Sequence, residues 1–190
     1  MKKGILAVVA MLVSLSAMAF EAKVQSKSVG EVTISSESED WSVDAKIESK
    51  GQQEYLTIEL KASQAMTPPK FEVAFRTPQL DAHHVWYSGN TDRARIQPDW
   101  RKGYHSSLAE DMPLYSFINT NNQNRLTVAT GEALRRVEAV MGLREEGAVL
   151  QGRLTYFVEP EAPISHYKAT ILLDKRDIFW ADAVREASEI

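Results

Sequence analysis

The fold is decided by residues 41–61, which read WSVDAKIESKGQQEYLTIELK. In the first half of this stretch, apolar Trp41, Val43 and Ile47 alternate with polar residues, and apolar residues again take every other position in the second half. A period of two places successive side chains on opposite faces of a strand, so each half predicts a β-strand with one buried face. Polar residues around Gly51 separate the halves. The stretch therefore predicts a β-hairpin with a slightly long loop.

The same alternation recurs at residues 71–75, 150–156 and 167–173, while residues 114–119 and 125–129 flank an Asn-rich loop that predicts another hairpin. Eight to ten antiparallel strands are expected, with turns at the spacing of a sandwich. The predicted fold class is an all-β, antiparallel β-sandwich. Its core is expected to contain mainly these residues: Trp41, Val43, Ile47, Leu56, Ile58, Leu60, Phe71, Val73, Leu154, Ile171 and Leu173.

Composition excludes several classes of protein. The 190 residues carry 22 Lys plus Arg against 26 Asp plus Glu, a formal net charge of −4, whereas a nucleic-acid binder needs a basic surface. The sequence has no cysteine, which excludes disulfides, thiolate metal sites and thiol nucleophiles. It has no glycine-rich phosphate loop and no alternation of strands with helices, so a nucleotide-binding α/β fold is not expected. We expect no cofactor and no nucleic-acid partner.

The first nineteen residues have the features of a signal peptide. Lys2 and Lys3 form a basic start, residues 5–13 form a short apolar run, and residues 17–19 (AMA) give the small-x-small pattern of a cleavage site. The apolar run is shorter than the roughly 20 residues that span a bilayer. We expect cleavage after Ala19, export to the periplasm or the extracellular space, and no membrane association afterwards. The alternative is an uncleaved anchor.

Residues 81–113 show no sustained period, and we interpret them as a long aromatic-rich loop. Sugars are recognised by aromatic rings that stack on the apolar face of the pyranose, together with carboxylate, amide and guanidinium groups that bond hydroxyls. The segment is rich in both, so it is a candidate carbohydrate-contact surface. The alternative is a structural role, in which the aromatic rings cover the end of the sandwich and the charges are solvated. The substrate-contact candidates are Trp86, Tyr87, Asp92, Arg93, Arg95, Asp99, Trp100 and Tyr104.

Metal binding and catalysis by this chain are not expected. A metal site would draw on His83, His84 and His105, but adjacent histidines on a strand point to opposite faces, and no HExxH spacing occurs. There is no GxSxG nucleophile motif. Acid pairs such as Glu145 and Glu146 are neighbours in sequence, whereas a glycosidase needs two carboxylates on either side of one bond. The prediction is no metal site and no catalytic residue.

The C-terminus is predicted to form an amphipathic helix. Asp177 is a candidate N-cap, and Phe179, Ala183, Ala187 and Ile190 fall on one helical face. No glycine or proline ends the helix before the last residue. Two interpretations remain open: the helix packs on the sandwich, or the chain is a fragment and the helix connects to a further domain. The predicted organisation is a signal peptide at 1–19, a β-sandwich at 20–176 and a C-terminal helix at 177–190.

Four stretches carry a resemblance to a known family: residues 113–119 (PLYSFIN), 125–129 (RLTVA), 142–146 (GLREE) and 174–180 (DKRDIFW). The first three resemble the N-terminal sandwich of bacterial melibiase-type α-galactosidases. The fourth resembles the start of the connector that leads from that sandwich into a catalytic (β/α)8 barrel. The likeness covers roughly residues 92–190 and implies a supersandwich-like fold in an exported glycoside hydrolase.

In that family the two catalytic aspartates lie on barrel strands, so the resemblance implies that neither is present here. The family's sandwich packs on the barrel, supports oligomer contacts and, in some members, contributes a loop residue to a substrate pocket. Only this last role has a candidate location in the present chain, at residues 81–113. The resemblance thus implies a galactoside as ligand and a catalytic barrel or a homo-oligomer as partner.

Two hypotheses follow from different classes of protein. The first is a non-catalytic sandwich domain, recovered as a truncated chain, of an exported α-galactosidase-type glycoside hydrolase that acts in carbohydrate metabolism. The second is a free-standing exported β-sandwich module that binds carbohydrate or another protein. Several hundred further residues with strand–helix alternation in the same reading frame would decide for the first.

Overall fold

The structure, a computed structural model, describes residues 20–78, 82–87, 94–96, 101–105, 114–132, 137–146 and 149–189. These residues form thirteen strands in two antiparallel sheets and one short helix. The predicted all-β antiparallel sandwich is therefore confirmed. The predicted signal peptide at 1–19 lies outside the described residues.

The six-stranded sheet consists of β1 (Phe20–Ser26), β2 (Gly30–Ser36), β5 (Phe71–Pro78), β8 (Arg101–His105), β11 (Val137–Glu146) and β12 (Val149–Val158). Its strands follow the spatial order β1-β2-β5-β12-β11-β8. The hairpin of β1 and β2 precedes the first strand expected from sequence. Its apolar residues alternate as well, with Val32 and Ile34 buried, but polar residues flank them and make the pattern weaker than that of residues 41–61.

The seven-stranded sheet consists of β3 (Trp41–Lys50), β4 (Gln53–Met66), β6 (His84–Tyr87), β7 (Ala94–Arg95), β9 (Leu114–Ile118), β10 (Asn124–Glu132) and β13 (Ile164–Asp174). Its strands follow the spatial order β3-β4-β13-β10-β9-β6-β7. The long strand β13 lies between β4 and β10, so strands far apart in sequence share this sheet.

The hairpin predicted at residues 41–61 is present as β3 and β4. Its register pairs Trp41 with Ala62 at one end and Lys50 with Gln53 at the other, which leaves a turn of only two residues. The loop is shorter than expected because Gly51 has φ +63°. This left-handed conformation matches a tight turn to the twist of two antiparallel strands.

The core lies between the two sheets. Phe71 of β5 stacks on Tyr156 of β12 with ring centroids 4.6 Å apart, and its edge meets Tyr167 of β13 at 6.0 Å, across the sandwich. The hydroxyl of Tyr156 donates to Oγ1 of Thr130 in β10 at 2.9 Å. Rings and hydrogen bonds therefore hold the sheets together, in addition to the burial of apolar side chains.

Nine of the eleven residues predicted to form the core are buried. Val43 and Ile47 are only half-buried against the core. Both lie on β3, which is the edge strand of its sheet, so neighbouring side chains cover them from one side only.

The segment predicted as a long loop contributes three short strands, β6, β7 and β8. β6 pairs with β9 in the seven-stranded sheet, whereas β8 pairs with β11 in the six-stranded sheet. Strands of two to five residues are too short to show a period in the sequence. They become apparent only through their pairing with distant strands. Residues 79–81, 88–93, 97–100 and 106–113 lie outside the described part.

The C-terminal helix, α1 (Trp180–Ala187), packs on the outer face of the seven-stranded sheet. The predicted N-cap is wrong: the helix begins after Phe179, without a side-chain cap, and Asp177 instead forms an ion pair with Arg125 at 2.9 Å. The backbone of Phe179 is extended (ψ 130°) and pairs with Gln123, which fixes where the helix begins. Phe179 is therefore outside the helical face to which it was assigned.

Candidate functional site

The outer face of the seven-stranded sheet carries a layer of aromatic and small apolar side chains around α1. Ala183 and Ala187 of the helix are buried, and Ala187 packs with Leu114, Ala129 and Leu172 of the sheet. Small side chains at this contact let the helix lie close to the strands. The helix therefore covers β9 and β10 and leaves the side chains along its N-terminal end at the surface.

β6 brings Trp86 to this layer through its period of two. Val85 is fully buried and Tyr87 is half-buried, and both pack against the core between the sheets. Trp86 lies on the opposite face, where its ring is 5.8 Å from that of Trp180 at an interplanar angle of 40°. The two indoles, far apart in sequence, thus meet on the outer surface of the sandwich.

A third ring continues the contact. The centroid of Phe179 lies 6.1 Å from that of Trp180, and its plane is tilted by 54°. Phe179 is 53% exposed, the large apolar side chain most open to solvent among the described residues. We call these three rings, Trp86, Trp180 and Phe179, the aromatic row. Exposing large apolar rings to water is unfavourable, and a ligand with a complementary apolar face removes this cost when it covers them.

The Asn-rich hairpin lies beside the aromatic row. Oδ1 of Asn119 accepts hydrogen bonds from the backbone N–H of Asn121 at 2.9 Å and of Gln123 at 3.0 Å, which fixes the loop internally. Asn122 has φ 61°, the left-handed conformation that asparagine tolerates better than most residues. Its carbonyl accepts the N–H of Trp180 at 3.2 Å. The backbone of the hairpin therefore contacts the start of α1, and the amide side chain of Asn121 in this hairpin is exposed.

A polar cluster joins the end of β13 to the helix. Arg176 donates to both carboxylate oxygens of the fully buried Asp174, at 3.0 Å from Nε and 2.6 Å from Nη2. Its Nη2 also lies 2.7 Å from Oε2 of Glu186 in α1. Hydrogen bonding to Asp174 raises the pKa of Arg176 above its ordinary value, so the guanidinium stays charged. We call Asp174, Arg176 and Glu186 the latch.

The predicted sugar-contact residues that the structure describes do not all lie on one surface. Trp86 is part of the aromatic row, whereas the ring of Tyr87 faces the core. Arg95 is exposed on β7, opposite His84 of β6. Four further residues and one side chain lie outside the described part: Asp92, Arg93, Asp99, Trp100 and the side chain of Tyr104.

Sequence reasoning assigned Phe179 and Trp180 to the C-terminal helix and not to the sugar-contact surface. The available signal was the pair of adjacent aromatic residues at a helix start, where the two side chains cannot both face the core. The partner of Trp180 was unpredictable from sequence, because Trp86 lies on a strand that only pairing with β9 defines.

The acidic side chains of the described residues form no metal-binding cluster. Across the ranges from 20 to 189 that the structure describes, no group of three or more His, Asp or Glu side chains is placed to hold a metal ion. The buried carboxylates of Glu54 and Asp174 are both occupied by several hydrogen bonds. Within the same described ranges, no helix has the length and apolar character needed to cross a membrane.

Comparison with known proteins identifies no family. No family model matches the chain, and no curated protein matches it. Among solved structures, the chain is similar to the crystal structure of the Slr1438 protein from Synechocystis sp. PCC 6803, with 10% sequence identity and a TM-score of 0.43. The similarity covers 82% of this chain and 66% of that one.

Proposed function

We propose that this chain is a non-catalytic β-sandwich module that binds carbohydrate through the aromatic row. The observation that supports the proposal is the contact of Trp86, Trp180 and exposed Phe179 on one surface. The apolar C–H face of a pyranose stacks on such rings, and the exposed amide of Asn121 in the neighbouring hairpin offers a hydrogen-bonding group for its hydroxyls. Rings tilted by 40° and 54° suit a soluble, twisted oligosaccharide better than a flat crystalline surface.

Galactose and galactosyl oligosaccharides are the first ligands to test, because of the resemblance to α-galactosidase sandwiches. Export through the leader at residues 1–19 is part of the proposal and would place the module where glycans occur. Binding by a platform of this kind is expected to be weak, with a Kd of about 1 mM, which corresponds to about 4 kcal/mol.

The test is a titration of the mature chain with galactose and galactosyl oligosaccharides, followed by tryptophan fluorescence and amide chemical shifts. Perturbations are expected at Trp86 and at residues 178–180. Phe179→Ala removes an exposed ring and should raise the Kd at least about fivefold, or about 1 kcal/mol. The matched control is Phe157→Ala, a half-buried phenylalanine of the other sheet. Equal losses in both variants, or shifts confined to other surfaces, would contradict the proposal.

The proposal contains no catalytic step. The mature chain is expected to show no turnover of an aryl α-galactoside, since a glycosidase needs two carboxylates on either side of one bond. Hydrolysis that is lost on substitution of a single acid of this chain would overturn this part.

A second candidate function is that of the sandwich domain of an exported α-galactosidase-type glycoside hydrolase, in which the aromatic row contacts a catalytic barrel or a second subunit. The exposed ring of Phe179 favours it, because this residue lies in the run that resembles the family's connector. Concentration-dependent association in light scattering, weakened by Phe179→Asp and unaffected by sugar, would favour this function over sugar binding.

A further inference from the structure

The aromatic row is built from two parts of the chain that are held differently. Trp86 lies on β6, which is paired with β9 and sits in a sheet with a buried inner face. Phe179 and Trp180 lie on the segment 175–189, which follows the last strand and includes α1. Two of the three rings are thus present at the row only while this segment is docked on the sheet.

Apolar contacts hold the segment only weakly. The fully buried side chains of α1 are Ala183 and Ala187, which remove little apolar surface from water, while Val184 and Trp180 are only partly buried against the sheet. An eight-residue helix is also shorter than the roughly 12–15 residues at which isolated helices become marginally stable. Docking therefore depends on polar contacts to an unusual degree.

The latch is one of two ion-pair contacts that tie the segment to the sheet among the described residues; the other joins Asp177 to Arg125 of β10 at 2.9 Å. Arg176 neutralises the fully buried Asp174 and reaches Glu186 in the last turn of α1 at 2.7 Å, so one guanidinium connects the strand end to the helix end. Nδ2 of Asn124 donates to the carbonyls of Asp174 at 3.0 Å and of Arg176 at 2.9 Å. These bonds fix the direction in which the chain leaves β13.

Two backbone hydrogen bonds then position the start of α1 beside the Asn-rich hairpin and so place Phe179 and Trp180 in the aromatic row. The N–H of Asn124 donates to the carbonyl of Ile178 at 2.8 Å, and the N–H of Trp180 donates to the carbonyl of Asn122 at 3.2 Å. Both bonds exist only between the docked segment and the hairpin. Their amides therefore report docking directly.

We infer that Arg176 is a positioning residue that assembles the sugar-contact surface. It acts without touching the ligand, by holding the segment 175–189 so that Trp180 and Phe179 meet Trp86. The undocked state keeps the sandwich but has only Trp86 at the surface. The apparent affinity for sugar is then the affinity of the docked state reduced by the docked fraction. The ligand part of this inference rests on the proposed function, whereas docking is measurable without any ligand.

The experiment compares Glu186→Ala, Arg176→Ala and Arg176→Lys with the matched control Glu189→Ala. Glu186→Ala breaks the link to the helix but keeps the Arg176–Asp174 pair, and alanine is the best helix former, so a loosened segment cannot be attributed to propensity. Glu189 is exposed just beyond the helix and forms no ion pair with another described residue. Arg176→Lys keeps the charge beside Asp174 but loses the planar fork that bonds both carboxylates.

Hydrogen exchange at the amides of Trp180 and Asn124 is the first readout. Glu186→Ala is expected to speed exchange about two- to fivefold, as for the loss of a partly exposed ion pair. Arg176→Ala should speed it more than about tenfold because Asp174 loses its partner, Arg176→Lys should fall between them, and Glu189→Ala should change nothing. Unchanged exchange in both Glu186→Ala and Arg176→Lys would overturn the inference, even if Arg176→Ala fails to fold.

The exciton-coupled circular dichroism of the Trp86–Trp180 pair is the second readout, and sugar titration is the third. The coupling and the sugar affinity are expected to fall in the same proportion, variant by variant. Reduced coupling with unchanged sugar affinity would overturn the positioning role. If the variants lose coupling while even the wild-type chain binds no sugar, the latch is supported and the proposed function fails.

Discussion

The hydroxyl of Ser26 donates a 2.7 Å hydrogen bond to Oε2 of Glu54, and this buried bond ties the end of β1 in one sheet to β4 in the other. The same carboxylate accepts the backbone N–H of Lys27 at 2.9 Å and that of Ser28 at 2.8 Å. The turn that joins β1 to β2 is thus folded around an acid of the opposite sheet. A charged group can take this buried position because both carboxylate oxygens accept hydrogen bonds.

The first prediction concerns this carboxyl. Burial tends to raise the pKa of Glu54, but the hydrogen bonds from Ser28, Lys27 and Ser26 outweigh it, and the pKa lies below the ordinary value of 4.5. A depressed pKa means that the carboxylate stabilises the fold above the unfolded pKa, and that this stabilisation is lost as the pH falls through the folded value. The free energy of unfolding should therefore decrease as the pH is lowered below about 4.5.

Glu54→Gln should lower the free energy of unfolding at neutral pH by about 1.5–3 kcal/mol, as for hydrogen bonds to a charged group. It should also flatten the acid dependence, measured by urea denaturation at a series of pH values. Glu59→Gln on the same strand is the control, since Glu59 bonds only exposed partners and its loss should cost clearly less than that of Glu54. A flat acid dependence in the wild-type chain would contradict the assignment.

The second prediction compares a central strand with an edge strand. Ile58 of β4 is fully buried, whereas its near neighbour in the sheet, Val43 of β3, is only half-buried. Ile58→Ala should cost about 2–5 kcal/mol of stability, and Val43→Ala clearly less, because its side chain leaves a smaller cavity. Chemical denaturation of both variants measures the difference. Equal costs would show that β3 is covered from both sides.

The third prediction concerns a close approach in the six-stranded sheet. A Cβ added at Gly152 of β12 would overlap the ring of Phe75 on β5, directly beside it in the pairing. Gly152→Ala should therefore destabilise the fold by about 1–3 kcal/mol through overpacking. Combining it with Phe75→Leu, which makes room, should cost less than the two single changes together. Strict additivity in this double-mutant cycle would contradict the contact.

The fourth prediction concerns the hairpin beside the aromatic row. Asn122→Val places a β-branched residue at φ 61° and should destabilise the chain by about 1–2 kcal/mol, whereas Asn122→Gly accommodates this conformation at a smaller cost. Because the carbonyl of Asn122 accepts the N–H of Trp180, the valine variant should also speed exchange of that amide. Asn121→Val is the control at an exposed neighbouring position. Identical effects at both positions would exclude a special role for the left-handed residue.

The sequence by itself determined the sandwich, because the alternation that marks a half-buried strand is local. Residues 41–61 carry this period in each of two successive strands, residues 71–75 and 167–173 each within one strand, and the structure forms strands at all these positions. Such a pattern can be recognised without knowing which strands pair with one another. The Asn-rich hairpin was predictable for the same reason, since its turn residues lie between the strands that they connect.

Only the tertiary structure decided the candidate site. Trp86 and Trp180 meet because β6 pairs with β9 and because Phe179 pairs with Gln123, and both pairings join residues distant along the chain. The same pairing, and not a side-chain cap at Asp177, set the start of α1. Glu54 occupies an inward position that alternation reserves for apolar residues, and its donors come from the opposite sheet. A period read along one strand specifies which face is buried, but contacts between strands depend on how the sheets close around the core.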